Sequence, residues 1–132
     1  MESQDDERRR RVELAMARVP QVDAATVDQR LAQGTVVIDV RDADAHAAAH
    51  IAGSVNVERD SLAQRIAALV PDRSTPILCY CNGGSRGLLA ALALQELGYT
   101  DVGAIEGGLR AYAALAAAGD PGPPPDRCDL EK

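Results

Sequence analysis

The sequence contains no phenylalanine and no tryptophan, and it has only three tyrosines in 132 residues. A hydrophobic core must therefore be built from Ala, Leu, Val and Ile. Hydrophobic residues make up 46% of the chain, which is too high a proportion for a disordered protein. The length suits one ordinary domain that buries a core.

Cysteine is also scarce, and the three cysteines, Cys79, Cys81 and Cys128, leave one over in any disulfide pairing. An odd number without disulfide-like spacing argues against a secreted, disulfide-rich scaffold. The sequence shows no N-terminal apolar core of a signal peptide and no charge-free stretch of transmembrane length. We therefore expect no membrane partner and a reducing compartment, the cytoplasm, where a reactive thiol stays available.

Positive charge is in deficit, since 14 basic and 20 acidic residues give a net charge of −6. Phosphate contacts dominate nucleic-acid affinity, so we expect no nucleic-acid partner for so acidic a domain. One basic run, Arg8 to Arg11, follows several acidic residues near the N-terminus. We interpret it as a solvated helix start, in preference to a docking patch for an acidic partner.

The hydrophobic pattern alternates between helices and short strands. Two mainly apolar runs, 35–40 and 76–81, are typical of strands that are buried on both faces. Strands then helices in alternation imply crossover units, so we expect an α/β fold with the site at the carboxyl ends of the strands. The sheet is expected to be open, mainly parallel and five-stranded, with helices on both faces. Further strands are predicted at 54–57 and 102–105, and helices at 6–18, 24–33, 42–49, 62–70, 86–97 and 109–118.

Composition divides the chain into three segments. Residues 1–19 are predicted to form an N-terminal helical extension, residues 20–118 the α/β domain, and residues 119–132 a C-terminal tail that contains four prolines. The apolar positions of the extension recur at helical spacing: Val12, Met16 and Val19.

A glycine-rich loop, Cys81-Asn-Gly-Gly-Ser-Arg86-Gly, joins the second buried run to an apolar helix. Its glycines allow the backbone to curl with N–H groups pointing inward, which at a helix N-terminus forms an anion cradle. We expect the cradle to stabilise the thiolate of Cys81, the candidate nucleophile. Arg86 would add a two-pronged donor for oxyanions. The candidate substrate-binding residues are Asn82, Gly83, Gly84, Ser85, Arg86 and Arg41.

These motifs resemble those of rhodanese domains. The loop is similar to the family's active-site loop, residues 36–41 to its strand ending in Asp-x-Arg, and residues 50–56 to its His-Ile-Pro-Gly-Ala-x-Asn segment. Residues 98–109 resemble its closing motif, so the resemblance spans residues 20–118 in order. The departures lie outside the loop: Ala52 replaces a usual Pro, Tyr112 a frequent Trp, and Ala45-His46 an acidic–aromatic pair.

The resemblance implies a sulfurtransferase without cofactor or metal. Cys81 would take the outer sulfur of a small anionic donor such as thiosulfate, and the resulting persulfide would pass it to cyanide, a low-molecular-weight thiol or an acceptor protein. A non-enzymatic persulfide carrier or interaction module uses the same persulfide and stays open. A phosphatase or arsenate-reductase relative is less favoured, because those relatives have one residue more between the cysteine and the arginine.

Arg41 and the other two cysteines have alternative interpretations. Arg41 would either draw anions to the mouth of the crevice or form an ion pair with Asp39 or Asp42. Cys79 is expected in the core, although it would resolve a persulfide if it lay close enough. Cys128 is expected to be an incidental thiol of the tail.

The two histidines and a pair of glycines complete the set of singled-out residues. His50 is expected to hold the turn at Gly53, and His46 to lie on a helix surface. The two histidines have no further Cys or His near them at ligand spacing, so no metal site is expected. Gly107-Gly108 is predicted to be a packing turn beside the catalytic loop.

Overall fold

Five short strands form one sheet in the computed structural model, which describes residues 4–83 and 85–118. The strands are β1 (Gln21–Val22), β2 (Val36–Asp39), β3 (Val55–Asn56), β4 (Ile77–Tyr80) and β5 (Val102–Ile105). They pair in the order β1-β5-β4-β2-β3, and every pair is parallel. The expected α/β class and five-stranded sheet are confirmed. Gly84, Cys128 and the tail predicted at 119–132 lie outside the described residues.

Helices alternate with the strands and start close to their predicted positions. Asp23 caps the turn before the second helix by accepting a hydrogen bond from the N–H of Ala25 at 2.9 Å. Gly34 follows that helix with a φ of +99°, as expected for a helix-ending glycine. No helix within the described ranges is long and apolar enough to cross a bilayer. The α-helices are α1 (Gln4–Arg18), α2 (Val27–Ala32), α3 (Ala43–Ala48), α4 (Leu62–Leu69), α5 (Arg86–Glu96) and α6 (Gly108–Ala118).

The core lies on both faces of the sheet because successive strand residues point to opposite sides. In β4, Cys79 packs in the cluster that contains α1, α4 and α5, whereas Leu78 and Tyr80 pack in the cluster that contains α2 and α6. All four residues of β4 are buried. Burial on both faces explains the continuous apolar run in the sequence.

Helix α1 packs on α5 through a face that differs from its predicted apolar stripe. Met16 is 59% exposed, whereas Ala15 is fully buried and Val19 is 4% exposed. An alanine at the contact lets the two helices approach closely, so the buried face is rotated away from Met16. The N-terminal extension is therefore joined to the sheet domain by a packed interface.

The carboxyl ends of β2 and β4 meet at one edge of the sheet. Asp39 and Tyr80, the last residues of these strands, are paired in register. Cys81 follows Tyr80 directly and Arg41 comes two residues after Asp39, so parallel pairing brings two segments that are forty residues apart to one place.

Candidate active site

Cys81 lies at the carboxyl end of β4, where the sequence placed the nucleophile. It is a thiol and only 2% exposed. It borders a cavity of about 200 Å³ together with Gly83, Ser85 and Gly108. The cysteine thus borders a small recess that the loop shares with α1, the start of α5, and the ends of β1 and β5.

A turn at Gly107–Gly108 holds this loop from the other side. The N–H of Leu109 donates to the carbonyl of Cys81 at 2.8 Å, and the N–H of Arg110 donates to the carbonyl of Asn82 at 2.8 Å. Gly108 has a φ of +57°, and a Cβ on it would overlap the carbonyl oxygen of Cys81. The expected packing turn beside the loop is confirmed, and Gly108 is required there by the close approach of the loop backbone.

Helix α5 begins directly beside the cysteine. Ser85 is its N-cap residue and Arg86 its first residue. A Cβ added to Gly87 would lie 3.0 Å from the Cα of Tyr80 and 3.3 Å from the backbone nitrogen of Cys81. Only glycine allows the first turn of the helix so close to the strand end. The unpaired N–H groups and the positive end of the helix dipole favour an anion at this position.

Arg41 forms the ion pair that was one of its two predicted roles. Its guanidinium is 5% exposed and binds Asp39 through two contacts of 2.7 and 2.9 Å. A third nitrogen donates to the side-chain oxygen of Asn82 at 3.1 Å, so the pair also reaches the loop. Burial by itself would raise the pKa of Asp39, but hydrogen bonds from Arg41 and His46 outweigh it and hold that pKa below its ordinary value.

Both histidines differ from their predicted roles. The side chain of His46 is only 18% exposed, and its Nδ1 lies 2.9 Å from the Oδ2 of Asp39. His50 stacks on it and donates from Nδ1 to the carbonyl of His46 at 2.7 Å. The turn at Gly53 is instead closed by Ser54, which bonds the carbonyl of Ile51. A helix-surface pattern could not reveal the contact with Asp39, because that carboxylate comes from the neighbouring strand.

Two polar side chains that the sequence did not single out hold the surrounding segments. The hydroxyl of Tyr80 accepts from the N–H of Ile51 at 3.1 Å and pairs with the hydroxyl of Ser54 at 2.8 Å. The amide of Asn56 donates to the carbonyls of Asp39 and Arg41 at 3.1 and 2.9 Å. The only prior signal was the place of Asn56 in the family-like segment at 50–56.

Arg86 and Asn82 occupy the outside of the loop. Arg86 is exposed and borders a recess of about 180 Å³ that Arg59 and the acidic Asp42, Glu58 and Asp60 also line. Asn82 is exposed, and its side chain is held by Arg41. Of the described members of the predicted set, Gly83 and Ser85 share the cavity of Cys81. Arg86 borders a separate recess, and Arg41 contacts the loop through Asn82.

Cys79 is part of the core, as expected. It is fully buried, and burial raises the pKa of its thiol to about 12. At neutral pH it is protonated and a poor nucleophile. The two cysteines of this strand therefore differ in what surrounds them, and only Cys81 borders the loop.

The arginine run that was predicted to be solvated makes two contacts with α5. Arg11 binds Glu96 through two bonds of 3.0 Å, and Arg8 donates to the hydroxyl of Ser85 at 3.0 Å. Arg9, with a 69% exposed side chain, does point to solvent, near Asp6. Sequence spacing could not show which arginines contact α5 and which point to solvent, because that depends on how α1 is rotated on α5.

The chain is similar in sequence and in structure to known proteins. A family model for the rhodanese-like domain matches residues 23–115. Thiosulfate sulfurtransferase GlpE of Pseudomonas putida is 35% identical over 92 residues, which cover 70% of this chain and 82% of that protein. The human single-domain sulfurtransferase TSTD1 superimposes with a TM-score of 0.65 at 26% identity, over 73% of this chain and 96% of that one. A Rhodopseudomonas palustris protein described as a possible tyrosine phosphatase gives 0.72 at 25% identity, over 80% and 88%.

Proposed function

This chain belongs to the rhodanese-like domain family, and we propose that it is a sulfurtransferase that carries sulfane sulfur as a persulfide on Cys81. The observation that carries the proposal is the position of Cys81, a buried thiol at a strand end, beside the N-terminus of α5 and within a glycine-rich loop. The name of its P. putida relative points to thiosulfate as the donor class. A small organic persulfide has the same outer sulfur and is a second donor of that class.

The first half-reaction is a displacement at sulfur. The Cys81 thiolate attacks the outer sulfur of thiosulfate, the bond between the two sulfur atoms of the donor breaks, and sulfite leaves with the electron pair. The cysteine has lost its proton to solvent beforehand, and a Cys81 persulfide remains. Loop N–H groups and the α5 N-terminus stabilise the negative charge on the thiolate and then on the persulfide.

The second half-reaction restores the thiolate. A nucleophile attacks the outer sulfur of the persulfide, and the electron pair of the broken S–S bond returns to Cys81. Cyanide gives thiocyanate in this step, and a low-molecular-weight thiol or a protein thiol gives its own persulfide. We place this chemistry in a reducing compartment such as the cytoplasm, where Cys81 stays a thiol.

The loop residues have separate roles in this proposal. The backbone N–H groups of the loop form the cradle, the hydroxyl of Ser85 donates to the anion, and Arg86 holds the sulfonate end of the donor at the rim. Arg41 acts as a positioning residue, because its buried guanidinium fixes the side chain of Asn82 rather than meeting substrate.

Phosphate-ester hydrolysis is the alternative that the fold alone leaves open. The length of the loop favours sulfur transfer over phosphate-ester hydrolysis. Cys81 and Arg86 enclose four residues, one fewer than in the phosphatases and arsenate reductases that resemble this family. One residue spans at most ~3.3–3.6 Å of chain, and a misplacement of about 1 Å can cost about 100-fold in rate. A persulfide adds one sulfur atom to Cys81, whereas a phosphate ester must fit whole inside the loop.

Mass spectrometry of the protein after treatment with thiosulfate tests the proposal. We expect a gain of one sulfur atom that maps to Cys81 and disappears on addition of cyanide. Cys81→Ser should take up no sulfur, whereas Cys79→Ser and Cys128→Ser should keep most of the uptake and of the thiocyanate turnover. Uptake that persists in Cys81→Ser would refute the assignment.

The same preparation, assayed with an activated aryl phosphate, tests the alternative. We expect no phosphatase turnover above that of Cys81→Ser. Fast phosphate release without any persulfide would overturn the sulfur-transfer proposal. Rapid turnover with free thiosulfate and cyanide would favour an enzyme, and slow turnover with transfer to one protein would favour a persulfide carrier.

A further inference from the structure

Helix α1 lies beside the catalytic loop although it precedes the family match, which starts at residue 23. Its C-terminal end is held by the side chain of Gln95, which donates to the carbonyl of Arg18 at 3.3 Å. Its N-terminal half is held by the pair between Arg11 and Glu96. The helix therefore runs alongside α5, in the same direction, and its first turns reach the N-cap of α5.

At the N-cap of α5, Arg8 contacts the glycine-rich loop. Its guanidinium donates to the hydroxyl oxygen of Ser85 at 3.0 Å. A serine hydroxyl has one hydrogen to donate, and an N–H that occupies one of its lone pairs directs that hydrogen away from the arginine. Ser85 borders the cavity that contains Cys81, and Val12 and Met16 of α1 line the same cavity. The contact thus joins a cation on α1 to a hydroxyl in the catalytic recess.

We propose that Arg8 is a positioning residue of the sulfur-transfer site and that α1 is one wall of that site. Arg8 orients the hydroxyl of Ser85 so that it donates to the negative charge on Cys81 and on the incoming anion. A hydrogen bond from a cation also polarises the hydroxyl and strengthens its own donation. Donation from Ser85 to the incoming anion rests on the proposed function. Donation to the thiolate is independent of it.

The exposure of Arg8 to solvent sets the expected size of its effect on sulfur transfer. Arg8 is exposed, so solvent screens its charge and the contact is weaker than a buried one. We expect Arg8→Ala to lower kcat/KM for thiosulfate about 3- to 10-fold, which is less than the roughly 10- to 150-fold effect of an unscreened charge-assisted hydrogen bond. At pH values below the Cys81 midpoint, the thiolate fraction should fall by the same factor.

Arg9→Ala is the matched control. It removes the same charge from the same helix, one residue away, from a side chain that points to solvent near Asp6. In a Cys128→Ser background, the rate of alkylation by iodoacetamide is measured against pH for the parent, Arg8→Ala, Arg9→Ala and Arg8→Lys. We expect the Cys81 midpoint to move to higher pH in Arg8→Ala, to stay within error in Arg9→Ala, and to move by an intermediate amount in Arg8→Lys.

A double-mutant cycle with Ser85→Ala decides whether Arg8 acts through this hydroxyl. We expect Arg8→Ala to have no further effect on the midpoint or on kcat/KM once Ser85→Ala is present. Equal shifts in Arg8→Ala and Arg9→Ala, or full additivity with Ser85→Ala, would overturn the proposal. Alkylation needs no sulfur donor, so a chain that failed to form a persulfide would still answer this question.

Discussion

At the scale of single residues, burial decides what each arginine of the site can do. Arg41 is almost fully buried, and Asp39, Asn82 and the carbonyl of Ala49 take up its donors. A guanidinium in that position orients its neighbours. Arg86 is exposed at the rim of the loop, where its fork is accessible to an anion from solvent.

Replacement of Arg86 by alanine should raise the KM for thiosulfate and change kcat little. Charge-assisted hydrogen bonds contribute about 1.5–3 kcal/mol each, and solvent screening at an exposed position favours the lower figure, or about 10-fold in KM. Arg86→Lys should retain part of the affinity, because the charge remains and the fork does not. Steady-state kinetics against thiosulfate concentration give the answer, and an unchanged KM would exclude Arg86 as the anion-binding group.

At the scale of elements, three segments shape the glycine-rich loop that begins at Cys81. The strand β4 presents Cys81, the start of α5 approaches through Gly87, and the turn at Gly107–Gly108 bonds the carbonyls of Cys81 and Asn82. At Gly87 and Gly108, the backbones lie closer together than a side chain would allow. The geometry of the cradle therefore depends on glycines that are outside the loop as well as inside it.

Gly108→Ala should lower kcat/KM by about 100-fold, because an added Cβ would push the turn off the carbonyl of Cys81 and displace the cradle. Gly34→Ala is the control. Gly34 also has positive φ, +99°, but a Cβ there meets nothing within 4 Å. It should cost only the backbone strain, about 1–2 kcal/mol, and leave activity intact. Thermal melts and turnover of both variants make the comparison, and full activity in Gly108→Ala would contradict it.

At the scale of the whole molecule, one buried carboxylate ties several segments together. Asp39, the last residue of β2, binds both Arg41 and His46 of α3. Arg41 in turn contacts the glycine-rich loop through Asn82. Loss of one partner of a buried pair costs about 3–5 kcal/mol, since the other charge remains desolvated. The stability of the fold and the geometry of the site are therefore coupled through this pair.

Acid should weaken the fold through the same carboxylate. The pKa of Asp39 is lower in the folded state, so its contribution is fully present above the ordinary value of about 3.9 and is lost as pH falls through the folded-state pKa. We expect Asp39→Asn to be less stable at pH 7 and the difference from the parent to narrow in acid. Urea titrations at pH 7 and near pH 3 measure this, and a constant difference would show that Asp39 does not carry the dependence.

From the sequence alone we could predict the class of fold, the strands β2 to β5, the candidate nucleophile and its loop. These features are encoded locally. Apolar runs of strand length, the capping residue Asp23 and the helix-ending Gly34 each act on a few neighbouring residues. The spacing from Cys81 to Arg86 is likewise a local property, so it could be read without knowledge of what packs around it.

The contacts that side chains make across the sheet could not be predicted in this way, because they depend on how the elements pack. The two-residue strand β1 is defined by its pairing with β5 and has no pattern of its own. The contact of His46 with Asp39 needs parallel strands to bring separate segments together. The burial of Ala15 in place of Met16, and with it the placement of Arg8 on Ser85, depends on how α1 is rotated against α5. Rotation about a helix axis is set by the fit of two surfaces, which no spacing within one of them contains.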